Sequence, residues 1–152
     1  MPNTSSRFNK GITAIYNISA SKSTQKKVAL LFKKVGMVID IQKESHMDDF
    51  TGLMGSGPAY FFYLLQVYEK RIMKICNGDI EKKNLIMCNL LDGVSKSIGS
   101  GETINSLIDA VASKKGTTEA AIKSFKGDQL SKSFDKGIAA AIKRSKEISS
   151  EF

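Results

Sequence analysis

Apolar and polar positions along this chain change rhythm once, near residue 45. Before that point Gly11-Ile-Thr-Ala-Ile-Tyr16 alternates and is rich in β-branched and aromatic side chains, which predicts a short strand. Val28, Leu31, Phe32 and Val35 then recur at helical spacing, behind Ser21 or Ser23 as a cap and ahead of Gly36. Met37-Val-Ile-Asp-Ile41 predicts a second strand. Strand, helix and strand form one crossover unit, too little for a stable sheet of its own. Residues 1–45 therefore read as the tail of a larger α/β domain.

From residue 46 the spacing is helical throughout. Pro58 suits a first helical turn, where a missing N–H is no loss. Ala59 through Val67 is apolar on nearly every face, so this helix is expected to be buried all round. Asp79 can cap a helix bearing Leu85, Ile86, Leu90, Val94 and Ile98, closed by Gly99 and Gly101. Thr103 opens another, with Ile104, Leu107, Ile108 and Val111 on one face. Thr117 or Thr118 starts a shorter helix holding Ile122 and Phe125. The last, from about Ser131, aligns Phe134, Ile138, Ala141 and Ile142, with Ala139 and Ala140 as a small-residue surface. The expected fold is mainly α: an all-helical domain over 46–152 preceded by a short β-α-β remnant over 1–45. A helix as apolar as 58–68 is hard to bury within one copy of a module this small. Burial is worth about 25 cal/mol per Å², so a second copy is the economical cover. A homodimer, or a multiple of one, is expected.

Composition narrows the class. The chain has 152 residues, 41% hydrophobic and 25% charged, as in folded proteins and unlike disordered ones. The longest apolar run, Ala59 to Leu65, is too short to span a bilayer, and no membrane partner is expected. The first residues show no apolar stretch after a basic start, so a signal peptide is not expected. Cys76 and Cys88 lack any partner spacing; they read as core fillers in a reducing, cytoplasmic setting. His46 is the only histidine, and no metal site is expected. The net charge of +8 comes from lysines spread along the chain, without an arginine-rich or aromatic-basic cluster. It reads as a solvated face, and no nucleic-acid partner is expected.

Two small-residue turns carry candidate chemistry. Ser113-Lys-Lys-Gly-Thr-Thr118 opens a helix, where unpaired amides and two lysines suit a carboxylate. The plainer alternative is a glycine turn with Thr117 as an N-cap. Thr51-Gly-Leu-Met-Gly-Ser-Gly-Pro-Ala-Tyr60 has three glycines in six residues and then a proline, a kink that brings backbone against a flat ligand. Its plainer alternative is a packing turn between helices. The glycine spacing is not that of a dinucleotide-binding fingerprint.

With Met1-Pro-Asn-Thr4, these motifs in colinear order resemble the C-terminal portion of pyrroline-5-carboxylate reductase, from Met1 to about Ile148. The resemblance implies an all-helical domain through which two subunits interlock, preceded by the end of a Rossmann-type domain. It implies hydride transfer from NADPH or NADH to 1-pyrroline-5-carboxylate, giving L-proline, with the active site at the subunit interface. By resemblance Thr51 is the catalytic residue, approaching the substrate nitrogen. Glu102, Ser113, Gly116, Thr117 and Thr118 bind the substrate, its carboxylate on the amides of Thr117 and Thr118. For Glu102 the alternative is a first-turn carboxylate complementing the helix dipole. Asn3, Ser56, Gly57 and Pro58 lie beside the cofactor. Three departures stand out: Lys114-Lys115 where the family has Pro-Gly, Met54 where it has a small residue, and Ser5 to Asn9 where it has proline and a glycine-bearing loop. If the family glycine needs a positive φ, Lys115 costs roughly 1 kcal/mol or more. The family's glycine-rich phosphate turn has no counterpart here. NADP or NAD is therefore not expected to bind this chain tightly, turnover by the chain alone is not expected, and a separately encoded N-terminal half is a candidate partner. The competing class is a non-catalytic helical dimer that keeps the fold.

Overall fold

β1 (Gly11–Tyr16) and β2 (Gly36–Ile41) lie parallel, Gly11 opposite Gly36 and Tyr16 opposite Ile41, and α1 (Lys22–Lys33) makes the crossover. The computed structural model describes residues 1–151; Phe152, the last residue of the expected helical part, lies outside the described residues. Of the two candidate caps of α1, Ser21 serves, accepting from the Thr24 amide at 3.2 Å. A 3-10 turn over Thr4–Phe8 precedes β1. Pro2 bridges to Thr13 on the side away from β2, and Thr13 and Ala14 are buried.

The rest is helical: α2 (His46–Phe50), a π-helical turn (Thr51–Gly55), α3 (Gly57–Ile75), α4 (Ile80–Ile98), α5 (Ile104–Val111), α6 (Thr117–Gly127) and α7 (Leu130–Ser150). The chain is thus mainly α, behind a short β-α-β unit, as its pattern predicts. Asp79 caps α4 by accepting from the Lys82 amide at 2.9 Å, and Thr103 caps α5 by accepting from Ser106 at 3.1 Å. Thr117 is the first residue of α6 rather than its cap; that position falls to Gly116, which offers no side chain. Among the described residues no helix is long and apolar enough to cross a membrane.

Two compact units divide the chain, one of Met1–Phe61 together with the residues from Phe134 onward, the other Phe62–Ser133. In the first, a Cβ at Gly52 would lie 2.4 Å from Cγ1 of Ile142, so the π-turn meets α7 where only glycine fits. Phe50 is buried, and the rings of Tyr60 and Phe134 meet edge to face at 6.1 Å. The Asp48 carboxylate accepts from Ser145 at 2.7 Å and Ser149 at 3.0 Å, fixing α2 to the end of α7. In the second, Ile72, Cys76 and Lys83 are the buried residues named by accessibility, and Lys83 Nζ pairs with Glu69 at 2.7 Å.

Burial of residues 58–68 on all sides does not occur within one chain. Phe61, Phe62, Tyr63, Val67 and Tyr68 are each more than half exposed. The chain presents 11934 Å² to solvent. A compact monomer of 16.6 kDa presents about 7,600 Å², and two compact bodies of half that mass present about 9,100 Å².

Lys115 adopts a left-handed backbone, φ 61°, which an L side chain occupies at a cost of about 1–2 kcal/mol. Replacing it by glycine relieves that cost against glycine's greater unfolded entropy. Lys115→Gly should therefore stabilise the chain by about 0.5–1 kcal/mol in urea unfolding, whereas Lys115→Ala should not. A second expectation concerns the buried ammonium. Glu69→Ala strands the Lys83 charge, only 11% exposed, and should cost about 1–3 kcal/mol, discounted because Glu69 itself is half in water. Lys83→Met, which removes the charge and keeps the volume, should cost far less by the same denaturation midpoint.

Candidate functional site

The turn at 51–55 is wider than an α-helical turn. The Ser56 amide reaches back five residues to the Thr51 carbonyl at 3.0 Å, and α3 then starts at Gly57 with Pro58 in its first turn. The Thr51 hydroxyl donates to the Met47 carbonyl at 2.7 Å, with Met1 Sδ 3.3 Å away. Its one proton is thereby engaged, and its lone pairs remain to accept from a ligand N–H. Asn3 Nδ2 donates to the Met54 carbonyl at 3.1 Å, and its Oδ1 accepts from the Ile12 amide at 3.1 Å. Tyr60 donates its hydroxyl to the Gly52 carbonyl at 2.9 Å. A Cβ added at Gly57 would meet nothing within 4 Å, although the residue itself is buried. Burial holds the Met1 amine, which donates to the Ala14 carbonyl at 2.6 Å, below its usual pKa.

The turn at 113–118 is built differently. The Gly116 amide donates to the Ser113 carbonyl at 2.9 Å, and a Cβ at Gly116 would fall 2.3 Å from Ser113 Oγ, so no other residue fits. Thr117 and Thr118 follow with first-turn amides that no side chain caps. The Lys115 amide donates to the Glu119 carboxylate, which ties the left-handed residue to the first turn of α6. Lys114 and Lys115, three and two residues before Thr117, are exposed. The arrangement suits a single carboxylate: free N–H groups, the positive end of a helix, and two cations.

The first unit thus brings together Asn3, Thr51, Ser56, Gly57 and Pro58, and the second holds Ser113, Gly116, Thr117 and Thr118 in one turn. Glu102 stands apart from that turn in sequence, ahead of α5, where its Oε2 accepts from the Ser106 hydroxyl at 2.9 Å. Pattern reasoning overlooked Tyr60, Ser106 and Glu119. A tyrosine among phenylalanines and leucines was the one available signal, since a buried hydroxyl needs a partner.

Comparison with known proteins bears on both turns. The family described as pyrroline-5-carboxylate reductase dimerisation matches residues 44–148. Pyrroline-5-carboxylate reductase 1 of Bacillus spizizenii is 36% identical over 152 residues, covering 99% of this chain and 51% of that protein. A pyrroline-5-carboxylate reductase structure from Coxiella burnetii superposes with a TM-score of 0.83 at 28% identity, over 97% of this chain and 55% of the other. One from Plasmodium falciparum, solved with NADP bound, gives 0.82 at 25% identity, over 97% and 60%. The chain spans about half the length of the curated relatives it matches. Over that half the likeness is continuous, and the chain belongs to the pyrroline-5-carboxylate reductase family.

Proposed function

We propose that this chain supplies the substrate-binding and dimerising half of a pyrroline-5-carboxylate reductase, acting in proline biosynthesis. The observation that carries this reading is the retention of both turns in usable geometry within a chain that aligns over 99% of its own length to about half of a longer relative. Residues 46–152 form the dimerisation and substrate domain, and residues 1–45 the end of a dinucleotide-binding domain; the family match beginning at 44 supports that division.

The chemistry asks little of side chains. A bound reduced NADP or NAD supplies the hydride, and the protein holds the acceptor in contact with it. Asn3, Ser56, Gly57 and Pro58 would hold the nicotinamide ring, with no side chain at Gly57 to obstruct it. Thr117 and Thr118 amides, with Ser113 and Gly116 shaping the turn, hold the substrate carboxylate. Glu102, with one oxygen fixed by Ser106, faces the cationic nitrogen. Thr51 accepts the N–H of the protonated imine, a role its engaged proton permits. The phosphate-binding part of the family is not among these residues, so the chain alone binds NADP or NAD weakly and does not turn over. Residues able to hold the cofactor phosphates would complete the site. The second reading, a non-catalytic helical dimer, is favoured by the strained Lys115 at the carboxylate turn. Both readings place the protein in the cytoplasm as a homodimer or a multiple of one.

The exposed apolar side chains of α3, α4 and α5 are the surface a second copy would cover. Light scattering at micromolar concentration should give twice the chain mass or a multiple; a well-folded monomer would remove this part of the proposal.

The carboxylate turn is tested with proline. A few charge-assisted hydrogen bonds, each about 1.5–3 kcal/mol before binding entropy, give millimolar affinity at best. Titration should move the amide resonances of Gly116 to Glu119 more than those of α7, and the same sample with NADPH and pyrroline-5-carboxylate should show no steady oxidation. Shifts absent from the turn, or spread over every basic surface, favour the non-catalytic dimer. Steady turnover by the purified chain contradicts the need for another half.

A further inference from the structure

We propose that Asn3 and Tyr60 are positioning residues that together latch the π-turn at 51–55 into the shape its proposed ligands meet. The turn leaves backbone carbonyls without helical partners. In an α-helix the Gly52 carbonyl would accept from the amide four residues on, that of Ser56. Here the Ser56 amide goes to Thr51 instead, and Gly52 is left over. The Met54 carbonyl would likewise look to residue 58, which is proline and has no N–H.

Of the carbonyls the turn leaves unpartnered, these two receive side-chain donors from elsewhere. Tyr60 gives its hydroxyl to Gly52, and Asn3 gives its carboxamide to Met54. Each donor is itself held. The Tyr60 ring stacks edge to face on Phe134, and Asn3 Oδ1 is anchored by the Ile12 amide at the start of β1. Met54 is 51 residues from Asn3 in sequence, so no local turn chemistry would put them together. The latch matters because the alternative to a π-turn is an α-turn with one residue extruded. That exchange rotates everything downstream by about one residue's worth of helix, near 100°. Ser56, Gly57 and Pro58 would then face another way, and Gly52 would leave the site where Ile142 admits only glycine.

This rests on the proposal that residues 51–58 face substrate and nicotinamide, and it changes the part played by Asn3. Its side chain acts through the backbone of the turn, with one amide hydrogen and the carbonyl oxygen spent inside the protein.

Hydrogen exchange of the whole chain, followed amide by amide, tests the latch without any ligand. Asn3→Asp keeps an oxygen for the Ile12 amide and loses the donor to Met54. Tyr60→Phe keeps the ring on Phe134 and loses the hydroxyl. Each variant should speed exchange at Ser56 about five- to tenfold, the worth of one hydrogen bond, while Ile12 stays within about twofold. A merely structural role would loosen Ile12 and the rest of β1 along with Ser56, and that outcome overturns the proposal. So does Ser56 exchange unchanged in both variants. Because no ligand takes part, a failed proline titration would count against the carboxylate turn and leave this result to stand by itself.

Discussion

Burial of apolar surface is the interaction on which this chain depends, and one copy supplies too little of it. The continuous unit, residues 62–133, buries Ile72, Cys76 and Lys83, while Phe62, Tyr63, Val67, Ile75, Leu85, Val94 and Ile104 face water. A helical module of this size has only a marginal interior. One of its buried places holds a lysine, which needs Glu69 to be tolerated at all. The small interior, the greasy helix surfaces and the dimerisation family to which they belong are three views of one constraint. These helix faces stay uncovered in the single chain.

Within the other unit the limiting factor is backbone rather than area. Three glycines and a proline between residues 52 and 58 remove side chains and one amide hydrogen from a helical path. The missing side chain at Gly52 admits α7, and the missing amide at Pro58 strands a carbonyl. Long-range donors then become necessary, and they tie the turn to β1 and to the start of α3. A turn whose shape is set by what is absent from it is stiffer than its glycine content suggests.

Much of this fold was legible in the sequence, and the reasons separate cleanly. Period-two alternation marked β1, a short apolar run marked β2, and capping chemistry at Ser21 or Ser23, Asp79 and Thr103 placed helix starts, because these signals are local. Local signals also flagged the two turns. They did not reveal that residues 51–55 would be π-helical, since one extra residue in a turn leaves no compositional trace. Nor did they reveal the partners of that turn: Asn3 reaches it across 51 residues, and distance in sequence carries no information about contact. The all-round apolar helix was read as a buried one. It is exposed in the single chain because periodicity reports that a face seeks cover, not which molecule provides it. Lys115 shows the middle case. Its positive φ followed only on a condition about the family glycine, and the backbone meets that condition. The roles of Thr51, Glu102 and the residues around Gly116 came from resemblance and from no pattern of charge or spacing.

The discontinuity of the first unit bears on how the chain comes to be made. Residues 62–133 are contiguous and can gather as they leave the ribosome, with contacts such as Glu69 to Lys83 only 14 residues apart. The first unit was begun earlier but cannot close then. The face of the π-turn that Gly52 opens waits for Ile142, and Asp48 waits for Ser145, 97 residues later. Synthesis therefore runs against assembly: the segment translated first is finished last. Throughout that interval the bare backbone at Gly52 stands without the Ile142 side chain that meets it in the folded chain.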